Sequence, residues 1–184
     1  MELLPFGNLP PYKARTFVPS DLALDNWMAI QPLFDHLEER IVACESVSDL
    51  EAWVLEVSEL SAILDEEGSR RYIAMTCHTS NEEAKNGYLD FVENIEPGMK
   101  EQFFQLSKLF VEHPQRSDLP GARYEVLDRD WASYVELFRE ENVPLETQET
   151  KLGQEYQEMM GALTVEFQGE EKTLVQMGVY LQEN

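Results

Sequence analysis

Between Asp128 and Gln176 the spacing of apolar residues changes three times, and each change predicts an element. Trp131, Tyr134, Val135 and Phe138 share one helix face. Pro144 lacks an N–H and biases Val143 toward extended backbone, which predicts a helix stop near Asn142. Leu145, Leu152, Tyr156, Met159 and Leu163 then form a second helical stripe. Leu163, Val165 and Phe167 alternate with Thr164 and Glu166, the period of a half-buried strand. Gly169 supplies a turn and Lys172 begins the return, so a small hairpin is expected at about 163–173. Thr173 and Gln176 have capping-box spacing, with Leu174, Met177, Gly178 and Leu181 on the face that follows.

Earlier in the chain the period is helical almost throughout. Residues 1–19 are proline-rich and unpatterned and read as an extended arm, leaving 20–184 as one helical domain. Asp25 is a candidate N-cap for a stripe of Trp27, Ile30, Leu33, Phe34, Leu37 and Ile41. Pro32 within it predicts a kink, or a short turn before a helix that starts around it. Ser48 and Glu51 have capping-box spacing ahead of Leu50, Trp53, Val54, Val57, Leu60, Ile63 and Leu64. That helix is expected to be interrupted or to end near Gly68, with 70–77 helical again. Ser80 and Glu83 predict the next start, with Ala84, Tyr88, Phe91, Val92 and Ile95 as its stripe. Pro97 and Gly98 break it. Met99, Phe103, Leu106 and Phe110 mark a further helix, and 115–123 (QRSDLPGAR) reads as a loop. About six or seven helices with one hairpin make a mainly α protein, packed as an irregular bundle or array.

Composition adds charge. Thirty-six acids stand against 14 bases in 184 residues, a formal net charge of −22. Such a balance disfavours nucleic acid and anionic membrane as partners, both of which select for Lys and Arg. A solvated acidic surface explains it most simply; mimicry of nucleic acid is the sharper alternative. Two cysteines, Cys44 and Cys77, are too few for a disulfide framework, and the N-terminus has no apolar run of a signal peptide. No stretch reaches the roughly 20 apolar residues of a membrane span, so a cytoplasmic protein is expected.

The wording of two segments goes beyond pattern. ELFREENVPLETQETKLGQEYQEMMGALTVEFQGEEKTL (136–174) and, upstream, RRYIAMTCHTSNEEAKNGYLDFVENIEP (70–97) closely resemble the N-terminal lobe of M3-family oligoendopeptidases of the oligoendopeptidase F type. The resemblance runs from about Trp27 to the end. It implies a zinc peptidase that cleaves short peptides, with the ion held by H-E-x-x-H on a helix and a downstream glutamate.

The chain carries no such motif. His36 is followed by Leu37, His78 by Thr79 and His113 by Pro114, so no catalytic or metal residue of the family transfers to any position here. The residues three before the histidines are Leu33, Met75 and Phe110, which excludes the Glu-x-x-His pairs of a di-iron bundle. Cys77–His78 is an isolated pair, read more simply as a helix-end cysteine beside a surface histidine. Glu140 and Glu141 are read as a solvated helix end rather than an acid–base pair. No G-x-S-x-G and no phosphate loop occurs. No catalytic or metal residue is therefore assigned, and the substrate-binding residues are left open.

The resemblance implies a lobe that walls a peptide cleft and packs on a C-terminal catalytic domain, which is expected to hold the zinc. This chain is expected to need no cofactor, to be inactive alone, and to meet oligopeptide substrate only within the complete enzyme. A helix begun at Leu174 is under way when the sequence stops at Asn184, which suggests truncation, and an uncovered apolar face would favour self-association. A non-catalytic helical peptide- or protein-interaction module derived from that lobe is the rival reading.

Overall fold

A computed structural model describes residues 14–181. The part of the expected arm at 1–13 lies outside the described residues, as do the last three residues. Among those described there are seven α-helices, three short 3-10 helices and one hairpin, the mainly α architecture expected.

Helix α1 spans Trp27–Val42, and its cap is Asn26 rather than Asp25: the Asn26 side chain accepts the Met28 N–H at 3.0 Å. Pro32 lies inside α1, and the helix neither waits for it nor restarts around it. The Met28 carbonyl, one turn back, loses its helical donor there. Both residues are exposed, so water can supply it.

Helix α2 spans Val47–Cys77. Its capping box is Ser46 with Asp49, one pair earlier than the expected Ser48 and Glu51. Ser46 Oγ accepts the Asp49 N–H at 3.2 Å, and Asp49 Oδ2 accepts the Ser46 N–H at 3.0 Å. Two overlapping S-x-x-acid sequences offer the same chemistry, and half-buried Val47 favours the earlier start. The predicted interruption at Gly68 is absent. A β-carbon there would lie 3.0 Å from Cε1 of Phe91, so this glycine lets α3 approach α2 closely.

Helix α3, Glu82–Asn94, is capped by Asn81, whose Oδ1 takes the N–H groups of both Glu83 and Ala84, in place of the expected Ser80. Asn at the cap serves two orphan donors where Ser80 would lie one residue too early. The break before Pro97 is found, with Pro97 in the first turn of α4, Glu96–Glu112.

The expected loop at 115–123 is mostly helical. A 3-10 helix covers Pro114–Asp118 and α5, Gly121–Leu137, starts directly after Pro120. Arg116 orders this segment by pairing with Asp128 and donating to the Val111 carbonyl at 3.0 Å, contacts local composition cannot show. Helix α5 then ends well before the predicted stop near Asn142. Pro144 instead opens α6, Val143–Ala162, the first-turn position where its missing N–H costs nothing.

Strands β1 (Thr164–Phe167) and β2 (Glu170–Thr173) pair antiparallel, Thr164 opposite Thr173 and Phe167 opposite Glu170. Gln168 (φ 56°) and Gly169 (φ 79°) make the two-residue turn, the left-handed pair that matches strand twist. The expected capping box at Thr173 and Gln176 starts α7, Leu174–Met177.

The core lies between α1, α2 and α4. Ile30, Phe34, Leu37 and Ile41 of α1 meet Leu50, Trp53, Val57, Leu60 and Leu64 of α2 and Leu106 and Phe110 of α4. Trp53 is fully buried, stacks on Phe110, and donates its Nε1–H to the Leu37 carbonyl at 2.8 Å. Trp131 of α5 closes this layer edge-on against both rings.

Candidate functional site

Helix α6 is attached to the rest of the protein by charge. Its half-buried face is Thr147, Thr150, Lys151 and Gln154, following buried Val143. The two threonine hydroxyls donate back to their own helix, to the Val143 and Glu146 carbonyls. Three lysines bridge the gap: Lys85 of α3 to Glu158 (2.8 Å), Lys100 of α4 to Glu146 (2.8 Å), and Lys151 of α6 to Glu93 of α3. Lys100 also reaches Glu96 at 3.1 Å. Burial works to lower the Lys100 pKa, but its hydrogen bonds to Glu146 and Glu96 outweigh it and raise it. Glu158 hydrogen-bonds the Lys85 ammonium and raises its pKa, as Glu93 does for Lys151.

The apolar stripe of the same helix faces away. Leu145 is 59% exposed, Leu152 64%, Tyr156 58% and Met159 58%. Leu163 and Val165 extend it onto the hairpin, 44% and 41% exposed. An amphipathic helix ordinarily buries such a stripe. This one is turned over, polar side in.

Two clefts flank α6. One, of about 950 Å³, opens between the start of α6 and α4 and is lined by Glu93, Glu101, Glu140, Glu141 and Lys151. The other, of about 510 Å³, lies between the start of α3 and the end of α6, with Thr79, Asn81, Lys85, Gln154, Gln157 and Glu158 on its walls. The first presents negative charge, and the second presents hydrogen-bond donors and acceptors that suit a polar chain.

The residues weighed in the sequence fall apart in space. Glu140 and Glu141 are exposed on a short 3-10 turn. Cys77 and His78 are exposed at the end of α2, where His78 is the C-cap. His36 stacks on Phe17, and His113 Nδ1 accepts the Gln115 N–H at 3.2 Å. Among the described residues no group of three or more His, Cys, Asp or Glu side chains is placed to hold a metal ion. The zinc of the M3 chemistry therefore does not fit the residues described here. No described helix is long and apolar enough to cross a membrane. The lysine bridges escaped the sequence reading because each joins helices far apart in the chain; the scarcity of basic residues was the one signal available.

These features define a mainly α helical-array domain whose last long helix presents an uncovered apolar face. The chain belongs to the peptidase M3 N-terminal domain family, whose model matches residues 19–138. The matched span runs from just before α1 to just past α5, so α6, the hairpin and α7 lie outside it. No curated protein and no solved structure matches the chain.

Proposed function

We propose that this chain is the N-terminal lobe of an oligoendopeptidase F-type zinc peptidase, a cytoplasmic enzyme that cleaves short peptides at internal bonds. The family match over 19–138 carries the reading, and the wording of 136–174 narrows it. The lobe has a structural part in catalysis. It walls one side of a peptide cleft, admits flexible oligopeptides, excludes folded proteins, and packs on a catalytic domain that holds zinc through H-E-x-x-H. The zinc ion supplies an activated water in that domain. The residues of this chain take no part in that step.

The test joins this chain to a catalytic domain bearing H-E-x-x-H, as one polypeptide or as two. Chelator-sensitive cleavage of short peptides is expected from the pair and none from this chain alone. A pair that folds, holds zinc and leaves peptides intact would overturn the proposal. The uncovered face of α6 equally favours a non-catalytic interaction module. H-E-x-x-H encoded downstream, in the same frame or in an adjacent one, favours the enzyme, and its absence from both favours the module.

A further inference from the structure

We infer that the outward face of α6 docks an amphipathic helix with apolar residues at heptad spacing and Lys or Arg along its flanks. That this helix is carried by the catalytic partner rests on the function proposed above; the chemistry of the surface does not.

Leu145, Leu152 and Met159 recur at seven-residue intervals, and Tyr156 and Leu163 fall four residues after Leu152 and Met159, the seam of a two-helix packing. All five are at least 44% exposed. The opposite face of α6 is already used, with its threonines bonded within the helix and its one basic residue, Lys151, tied to Glu93. The free side therefore has no positive charge from α6 itself. Glu149 falls within the seam, four residues after Leu145, and Glu155 lies beside it, while Glu146 and Glu158 are turned inward to Lys100 and Lys85; among the described residues no ion pair holds Glu149 or Glu155.

This charge pattern selects the occupant. A second copy would set its own Glu149 and Glu155 against these two, on chains that each carry −22. Like charges along a helix seam weaken pairing, and complementary ones set partner choice. A helix with a leucine-type seam and basic flanks satisfies both the apolar stripe and the unpaired carboxylates.

The test uses the full chain and three synthetic peptides of about three heptads: a Leu seam with Lys flanks, the same seam with Glu flanks, and a scramble of the first. Fluorescence anisotropy at about 0.15 M salt reads the affinities with long-range attraction screened. The Lys-flanked peptide is expected to bind at least about tenfold tighter than the other two. Leu152→Glu combined with Met159→Glu should cost about tenfold or more in that affinity. Leu152→Gln alone, a milder change should the pair perturb folding, should cost about threefold. Circular dichroism checks that each variant keeps its helices, and Val42→Glu, 79% exposed on α1, should bind as the parent does.

Equal binding of the scramble would mean charge alone and would overturn the proposal. So would unchanged binding by the double variant, or a wild-type dimer in sedimentation that the double variant abolishes. The assay contains no zinc and reads no hydrolysis. Peptide binding without peptidase complementation would sink the proposed function and leave this surface standing; complementation without peptide binding would do the reverse.

Discussion

A β-carbon at Gly98 would sit 2.6 Å from both Cε2 and Cζ2 of the Trp27 indole. Gly98 is in the first turn of α4 and Trp27 opens α1, so the two helix starts meet with no room between them. Trp27 is further fixed by Phe34, 5.8 Å away centre to centre. The Gly98→Ala variant should lose about 1–3 kcal/mol by overpacking, against a helix-propensity gain of about 1 kcal/mol. Gly153, in α6 with nothing within 4 Å of its notional β-carbon, is the control. Gly153→Ala should gain stability by up to about 1 kcal/mol. Urea titrations of the two variants should move in opposite directions; a stabilised Gly98→Ala would show that Trp27 can swing aside.

The segment before α1 is held by one carboxylate. Glu59 of α2 accepts the N–H groups of Thr16, Phe17 and Val18 at 2.8–3.1 Å, and Val18 is 3% exposed. Partial burial works to raise the Glu59 pKa, but the three N–H donors outweigh it and hold it below the ordinary glutamate value. A depressed folded-state pKa contributes stability above the unfolded value, and that stability is lost as pH falls through the folded value. Glu59→Gln should cost about 1–2 kcal/mol near neutral pH, with faster amide exchange at residues 16–18. The difference between variant and parent should shrink in acid below the ordinary value of 4.5. A gap that does not change with pH would mean that Glu59 acts through packing instead of charge.

Trp53 combines three roles at the centre of the core: it fills volume, stacks on Phe110 with centroids 6.3 Å apart, and donates to the Leu37 carbonyl. Phenylalanine could keep the stacking but would lose the donor and leave a gap beside Trp131. Trp53→Phe should therefore cost about 2–4 kcal/mol, seen as a lower urea midpoint at unchanged slope. A loss under about 1 kcal/mol would indicate that α5 moves in to fill the space.

Helix stripes that end in the core were legible from spacing alone. Ile30, Phe34, Leu37 and Ile41, and the α2 series from Leu50 to Leu64, are buried as their period predicts. Helix starts were off by a residue or two at Asn26, Ser46 and Asn81, because neighbouring Asp, Ser and Asn side chains offer the same cap and only geometry selects one. The 115–123 segment reads as a loop on composition, yet Arg116 orders it through Asp128 and Val111. The α6 stripe was legible as a stripe, but not the direction it faces. Its orientation depends on lysines of α3 and α4 and on a glutamate of α3, all distant in sequence, which is also why the candidate surface could not be read from the chain.

The attachment of α6 should respond to salt and pH as a set of ion pairs, not as a packed core. Val143 is the one residue of α6 that is fully buried, so the helix depends on Lys85–Glu158, Lys100–Glu146 and Lys151–Glu93. Exposed pairs weaken as salt shortens the screening length from about 30 Å at 0.01 M to about 3 Å at 1 M. Hydrogen bonds from Lys85 and Gln154 lower the Glu158 pKa, so its contribution is present above the ordinary value of 4.5 and is lost as pH falls through its folded value. The three lysines have raised folded-state values, so their contributions are complete below the ordinary 10.5 and are lost only as pH rises past it. The attachment is thus at full strength across the neutral range and loosens at either end. Amides of α6 should exchange faster at high salt or in acid, while those of α1 and α2 change little. Lys85→Met with Lys151→Met should reproduce the effect at low salt and neutral pH. If α6 amides stay as protected as those of α2 in the double variant, the helix is held by contacts other than these pairs.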